Sequence, residues 1–512
     1  MEPTDARYAE IGREMVASGD WLIPRLNGVT HLDKPPVAYW AAAAGMQVLG
    51  VNAAGARIGA ALAAAFLFWA AACIARRAGV APRESFLAPL VLASSALAFA
   101  LSRLLATDIF LAAAVAAFYV AWLAPEGRGR LWMFVALGLG FLIKGPVVFV
   151  HTLLPLFVAA LWRRDRGVLA GLGSRLGWAV FALVAFPWYV IVAEQTPGLL
   201  GWLLKKEIWL RYTSTVHHRP GPPWYFAAIL VAGALPWTAA ALDGLFRSAR
   251  GAARSPTPAA SALVAWAVVP VLFFSASGSK LPAYVLPELT AVAILAACAL
   301  ARSACLARWG TASLFAALAI AIETAGPRAL AGLVGAQHAA TLPLPPLAHV
   351  AAATFAAGAI AAAARMPAAA AIAGLAAWYG LLGGAHAIEG PLGSPVQVAG
   401  IMERTRQPGE PVIELGAFSA GLPFYAGATI PMVDVPRSEA FESPGTERRA
   451  FLDESALPAL IRGSGRVWVY GPRDRAAREA DTLGVRYEVV ARTRNRELGL
   501  LEPMPPNTGI VR

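Results

Sequence analysis

Between about residues 55 and 388 the chain is a succession of apolar runs, most close to 18 residues or longer, separated by short polar loops. Runs of that length are what a bilayer-crossing α-helix requires, because hydrocarbon offers no partner to an unpaired backbone N–H or C=O. The overall balance agrees: 58% of the residues are hydrophobic and 14% charged, which is too apolar for a soluble globular domain. The pattern predicts spans near 55–75, 84–103, 106–124, 130–144, 146–162, 174–195, 224–246, 259–276, 281–300, 310–326, 345–364 and 367–388. The last of these are rich in Ala and Gly, which suits close helix packing. The expected fold class is therefore an all-α polytopic membrane protein with about twelve transmembrane helices, residues 1–388, followed by a small α/β domain over 389–512.

That last domain is read from a change of pattern. From about residue 389 the sequence is polar and mixed, and Pro411–Leu415, Arg466–Tyr470 and Arg486–Val490 read as strands. Residues 447–461 read as a helix. Gly463-Ser464-Gly465 is a turn before a strand and does not read as a nucleotide loop.

The other exception to the apolar pattern is the head of the chain, residues 1–50. Residues 6–18 read as a short amphipathic helix with Tyr8, Ile11 and Met15 on its apolar stripe and Gly19 as its stop. Such a helix is expected to lie in the membrane interface. A second interfacial segment begins at Pro35-Pro36 and carries Tyr39 and Trp40, residues at home at headgroup depth.

Alternation of the loops then sorts the charges. One face receives Arg76-Arg77, Arg128, Arg130, Arg163-Arg164-Asp165-Arg166, Arg247, Arg250, Arg254, Arg302 and Arg308, an arginine-rich set that reads as cytoplasmic. The opposite face receives the head, Thr107-Asp108, Lys144-Gly145-Pro146, the loop 196–222 and Ser277-Gly278-Ser279-Lys280, and an odd number of crossings puts the C-terminal domain there too. All five lysines (Lys34, Lys144, Lys205, Lys206, Lys280) fall on this face, against thirty-eight arginines in the chain. Arginine would serve topology equally well, so the lysines read as point charges with a task, such as holding phosphate.

If the loops alternate so, one surface collects Asp5, Arg7, Asp33, Lys34, Asp108, Lys144, Arg211, His217-His218-Arg219, Lys280 and Tyr284. Transfer of a glycosyl group from a lipid phosphate needs these types: cations to neutralise the departing phosphate, and carboxylates to position the acceptor and stabilise oxocarbenium character. Taken singly each has a plainer reading, as a solvated loop charge or, for Asp108, a helix N-cap; their convergence is what points to chemistry. No cofactor is required. A divalent metal held by Asp33, His217 and His218 is an alternative, although adjacent histidines in an extended loop point apart. The net charge of +12 is dispersed between spans, which suits anionic lipids or phosphorylated substrates and does not suggest nucleic acid. Cys73, Cys298 and Cys305 have no metal or redox spacing and read as small core residues. A transporter or lipid flippase is the main alternative class, but such proteins place ionisable groups near the membrane midplane, and the middles of most predicted spans carry none.

The head also carries a resemblance. Asp5-Ala6-Arg7-Tyr8-Ala9-Glu10-Ile11-Gly12-Arg13-Glu14-Met15, Ser18-Gly19-Asp20-Trp21, Pro24-Arg25-Leu26-Asn27-Gly28 and Asp33-Lys34-Pro35-Pro36-Val37-Ala38-Tyr39-Trp40 resemble the bacterial aminoarabinose transferases. These are lipid A-modifying enzymes of the integral-membrane (GT-C) glycosyltransferase class, related to the protein O-mannosyltransferases, and the resemblance extends to about residue 300. It implies an undecaprenyl-phosphate-linked sugar donor, a lipid A acceptor, and transfer at the periplasmic face of the bacterial inner membrane, with the C-terminal domain also periplasmic. It assigns Asp5 to the acidic pair of the first periplasmic loop, completed by Arg7 and Tyr8, and gives Lys34 the donor phosphate with Asp33 at the family's Glu position. Asp108 matches the acid after the third span, and Lys144, Arg219, Lys280 and Tyr284 match further donor-site positions. Three features depart from the family pattern. Thr4 stands where the first acid of Asp-Glu-x-Arg-Tyr is expected, His31 replaces an aromatic three residues before Lys34, and the first family helix has no counterpart ahead of Asp5. A chain extended upstream is the corresponding expectation. A protein or another glycan is the alternative acceptor.

Overall fold

The computed structural model describes residues 4–504 apart from 126, 215–219, 253–257, 303–304, 335–343, 393–394, 437–440, 446–450 and 494. All twelve apolar stretches are helical over most of their length, but few are single straight rods. Among the described residues five helices are long and apolar enough to cross a membrane alone: Ala53–Arg77, Arg175–Gln195, Pro282–Ala301, Leu306–Gly326 and Pro346–Ala363. The stretch expected as one span near 224–246 is instead a pair, Tyr225–Gly233 and Thr238–Gly251, bent by 114°. The 84–103 stretch breaks at Ser95, and the 146–162 stretch divides at Thr152 into Val147–His151 and Leu153–Arg163. These interruptions shorten the continuous helices that composition alone predicts.

Local chemistry explains the best-defined helices. Ala53–Arg77 starts at Asn52, whose side-chain oxygen accepts the N–H groups of Ala54 and Gly55 at 2.9 Å each, and ends on Arg76-Arg77, which complement the helix C-terminal dipole. The preceding helix, Val37–Leu49, packs on it at backbone distance. A Cβ placed on Gly45 would come within 2.2 Å of the Gly55 carbonyl oxygen, so only glycine fits.

The head departs from expectation. Its helix, Thr4–Ser18, does stop at Gly19, in the left-handed region at φ +72°. It does not expose a polar face, however. Residues from Asp5 to Met15 are buried almost all round, including Glu10, Arg13 and Glu14. The reason is packing on two sides: Gly12 lies against Ala42 and Ala43 of Val37–Leu49, and the C-terminal domain is seated directly on the head. The Asn27-Gly28 turn between Arg25–Leu26 and Val29–Thr30 takes positive φ at both residues, the geometry that selects Asn-Gly. Asn27 then donates to the Ile430 carbonyl and accepts the Ile430 N–H, each at 2.7 Å. Ser443 donates to Thr30 O and accepts the Leu32 N–H, and Arg13 reaches Gly427 O at 3.3 Å. Glu10 chelates Arg13 at 2.6 and 2.7 Å, yet burial still pushes its carboxyl up to about 8.

The C-terminal domain is a six-stranded mixed sheet in the spatial order Phe451–Leu452, Met432–Val433, Val412–Leu415, Val467–Pro472, Arg496–Pro503, Val485–Arg492. The first four strands are parallel and the last two antiparallel. Where a helix was expected over 447–461, residues Phe451–Leu452 form an edge strand and the helix begins only at Leu457; residues 447–450 lie outside the described set. The central strands bury apolar side chains on both faces, as a covered parallel sheet must.

Candidate active site

Beneath the head lies a cavity of about 580 Å³, lined by Leu32–Pro35, by helix ends around Lys144–Val147, and by the 200–212 and 273–284 segments. Most of its wall is apolar, with Phe141, Trp188, Tyr189, Leu203 and Phe274 prominent. Charged groups in that wall and just behind it form a continuous row. Lys34 Nζ donates to its neighbour's carbonyl, Asp33 O, at 2.9 Å and ion-pairs with the Glu207 carboxylate. The same carboxylate oxygen accepts from Arg211 Nη2 at 2.7 Å. Arg211 Nη1 lies 3.4 Å from the Tyr284 hydroxyl, and Lys144 Nζ sits 4.9 Å from the centre of the Tyr284 ring. Lys144 completes the row by donating to Asp108 Oδ1 at 2.5 Å.

Each member is held by its element. Asp108 is in the first turn of Thr107–Trp122, where the helix dipole favours an anion. It does not cap that helix with its side chain, as the plainer reading had it; it turns to Lys144 instead. Lys144 is the last residue of Leu131–Lys144, released at Gly145 (φ +71°) and turned by Pro146. Glu207 and Arg211 are one helical turn apart, the spacing at which opposite charges meet. Burial pushes the Lys34 ammonium below its ordinary value of 10.5, against the pull of Glu207.

The remaining expected residues divide. Tyr8 hydrogen-bonds with the Thr107 side chain, beside Asp108, and its buried phenol is pushed up. Arg7 lies near enough to act on Tyr8 and Tyr39. Asp33 lines the cavity, and its Oδ1 is buried without a hydrogen-bond partner among the described residues. Asp5 stands one layer back. It is buried, pairs with Arg57 (Nε at 3.1 Å) and accepts the Leu105 N–H at 2.7 Å, three residues before Asp108. Lys280 is not delivered to the cavity: its ammonium is folded onto the carbonyl oxygens of Ser275 at 2.8 Å and Ser277 at 2.9 Å. Arg219, His217 and His218 lie outside the described residues. No group of three metal-ligating side chains occurs among the described ones.

Two features escaped the sequence reading. Glu207 follows Lys205-Lys206 and looks like the end of a charged loop, although its i,i+4 spacing to Arg211 was a usable signal. His151 and Glu288 form a pair at 2.6 Å with at most 1% exposure on either side chain. Tyr119, stacked on Trp266 at 3.9 Å, donates to the His151 carbonyl at 3.2 Å. Glu288 was legible as a lone acid inside an apolar run.

Known proteins are similar to this chain in sequence and in fold. A family model described as dolichyl-phosphate-mannose-protein mannosyltransferase matches residues 1–201. The undecaprenyl phosphate-α-4-amino-4-deoxy-L-arabinose arabinosyl transferase 2 of Pseudomonas fluorescens is 34% identical over 310 residues, which is 58% of this chain and 52% of that protein. The corresponding transferase of Edwardsiella ictaluri is 32% identical over 317 residues, 58% of this chain and 54% of that one. The crystal structure of ArnT from Cupriavidus metallidurans bound to undecaprenyl phosphate superposes with a TM-score of 0.81 at 25% identity, covering 98% of this chain and 93% of that one. The chain is a homologue of the aminoarabinose transferases. It spans about half the length of the curated relatives it matches, whereas the structural match runs nearly end to end. An archaeal oligosaccharyltransferase of Archaeoglobus fulgidus, TM-score 0.51 at 14% identity, shares the general fold alone. The fold of this transferase homologue is thus that of the GT-C glycosyltransferases, mostly helical with a small C-terminal sheet.

Proposed function

We propose that this homologue transfers a sugar, 4-amino-4-deoxy-L-arabinose or one like it, from undecaprenyl phosphate to a phosphate of lipid A. The observation that carries the reading is the cavity itself, apolar along most of its wall with Lys34, Arg211 and the Tyr284 hydroxyl converging in its charged row. That is the complement of a lipid with a phosphate head. Breaking the bond between the anomeric carbon and the phosphate oxygen leaves charge on the lipid phosphate, which the two cations and the phenol stabilise. A lipid A phosphate is already ionised, so the acceptor needs positioning more than a strong base. Asp108, beside Tyr8 and anchored by Lys144, is the carboxylate placed for the reacting face. Asp5 acts through the loop that presents Asp108, since it holds the Leu105 N–H. Arg219 joins the donor site by the family motif.

The proposal includes a bacterial inner-membrane location, about twelve spans in which short and broken helices count, and a periplasmic site and C-terminal domain. Anionic membrane lipids surround the chain, and nucleic acid has no part. Cofactor-free transfer is the main reading. Should a divalent ion take part, Asp33 with His217 and His218 would hold it, and EDTA with metal add-back reads that out. The decisive experiment expresses the chain, Asp5→Asn and Lys34→Ala in a bacterium lacking its own transferase and weighs its lipid A. Loss of the added sugar mass in both variants, at equal membrane expression, is expected; full modification by both would sink the site. A sugar appearing on protein or another glycan would transfer the reading to a different acceptor. His151–Glu288, ionisable groups within apolar helices, is an observation that favours a transporter. Proteoliposome uptake with no glycosyl product would establish that reading instead.

A further inference from the structure

Two of the cavity's cations, Lys34 and Arg211, already share a carboxylate of the protein. One oxygen of Glu207 sits between the Lys34 ammonium and the Arg211 guanidinium, and the side chain is only 10% exposed. The segment that carries it, Leu203–Leu210, is wound as a π-helix, and the next residue, Arg211, is one of its two partners. A site meant only to hold phosphate as tightly as it can would leave those cations to the ligand.

The two lipid phosphates such a site must handle differ in charge. The donor is a phosphodiester with a single negative charge, whereas the lipid left after transfer is a phosphomonoester carrying about −1.5 to −2 near neutral pH. Coulomb energy scales with the product of the charges. A fixed carboxylate beside the seat therefore penalises the monoester up to twice as heavily as the diester. We propose that Glu207 is a specificity-determining residue that biases the Lys34–Arg211 seat toward the singly charged phosphodiester and against the doubly charged monoester, easing departure of the spent lipid. The other charge facing this point, Asp33 on the Lys34 side, acts in the same direction. This inference rests on the reading of the cavity as a lipid-phosphate seat.

The test uses the full chain in detergent and two unreactive probes, farnesyl phosphate and its methyl diester, with affinities measured by calorimetry at pH 8. Glu207→Gln keeps the shape of the side chain and removes its charge; Glu207→Ala repeats the charge removal if glutamine is poorly tolerated. The expected result is that charge removal tightens the monoester about tenfold more than the diester, while Glu207→Asp keeps the wild-type ratio. Multiple turnover should then slow relative to a single turnover, through product inhibition. An unchanged ratio, or weaker binding of both probes, overturns the proposal, because Glu207 would then be a strut for Lys34 and Arg211. Lys34→Ala separates the two layers: it should weaken both probes. If it weakens neither, the seat itself is misassigned, whatever Glu207 does.

Discussion

Lys34 and Lys280 look alike in sequence. Each is an isolated lysine in a short loop on the same expected face, and each matches a donor-site position of the family. The structure separates them by what surrounds the ammonium. Lys34 meets side chains, Glu207 and through it Arg211, on the wall of a cavity. Lys280 meets backbone carbonyls at the end of Ala259–Ser275, beneath the face of the Phe226 ring at 5.4 Å. A carboxylate partner can be exchanged for a phosphate of like charge. Carbonyl oxygens left over at a helix C-terminus cannot, since removing their donor leaves them unpaired. The first lysine is arranged for a ligand, the second for the fold.

The largest expected effect tests that division directly. Lys34→Ala should lower transfer by at least about a hundredfold, the scale seen when one preorganised donor to a developing anion is removed, with thermal stability little changed. Lys280→Met should do the reverse, retaining transfer at low temperature while costing about 1–3 kcal/mol of stability for the abandoned carbonyls. A Lys280 variant inactive but fully stable would erase the distinction. Next in size, Asp108→Asn should slow single-turnover transfer by about ten- to a hundredfold with little change in donor affinity, as its partner Lys144 stays in place. The subtler effect concerns pH. Burial holds the Lys34 pKa below 10.5, and phosphate binding needs the ammonium, so kcat/KM should fall on the alkaline side at a pH below that value. Because the lowered pKa disfavours the charged form in the folded state, the fold itself gains stability as pH rises between the two values. Lys34→Arg should remove the alkaline fall in kcat/KM, since guanidinium stays charged. An identical alkaline limb in both proteins would assign it to another group.

Much of this was readable beforehand. Twelve helical stretches, three of the sheet strands and the candidacy of Lys34, Tyr284, Lys144 and Asp108 all follow from hydrophobic pattern, alternation of strands and a family motif. What was not readable depends on contacts that no local pattern encodes. The bend between Gly233 and Thr238 interrupts an apolar run whose composition allows a straight span. The head helix has the pattern of an interfacial helix because its polar residues do find polar partners; those partners belong to the protein, Arg57 and the Leu105 N–H for Asp5, the Gly28 N–H for Glu14 and Gly427 of the C-terminal domain for Arg13. Glu207 and Arg211 were within reach of i,i+4 reasoning, but their relation to Lys34 spans 173 residues of sequence. Lys280 misled because a motif fixes residue identity, while the direction of a side chain is decided by its neighbours.

The clasp between the head and the C-terminal domain also has a consequence in time. Asn27 and Ile430 are separated by 403 residues, and at about 5–20 residues per second a ribosome needs roughly 20–80 s to make that stretch. The head therefore waits for a partner made some four hundred residues later before it is covered. During that interval the charged row is already made, Tyr284 being its last member, while the head that lies over it still lacks its outer cover. Closing the clasp is, in that sense, a late step in the protein's biogenesis.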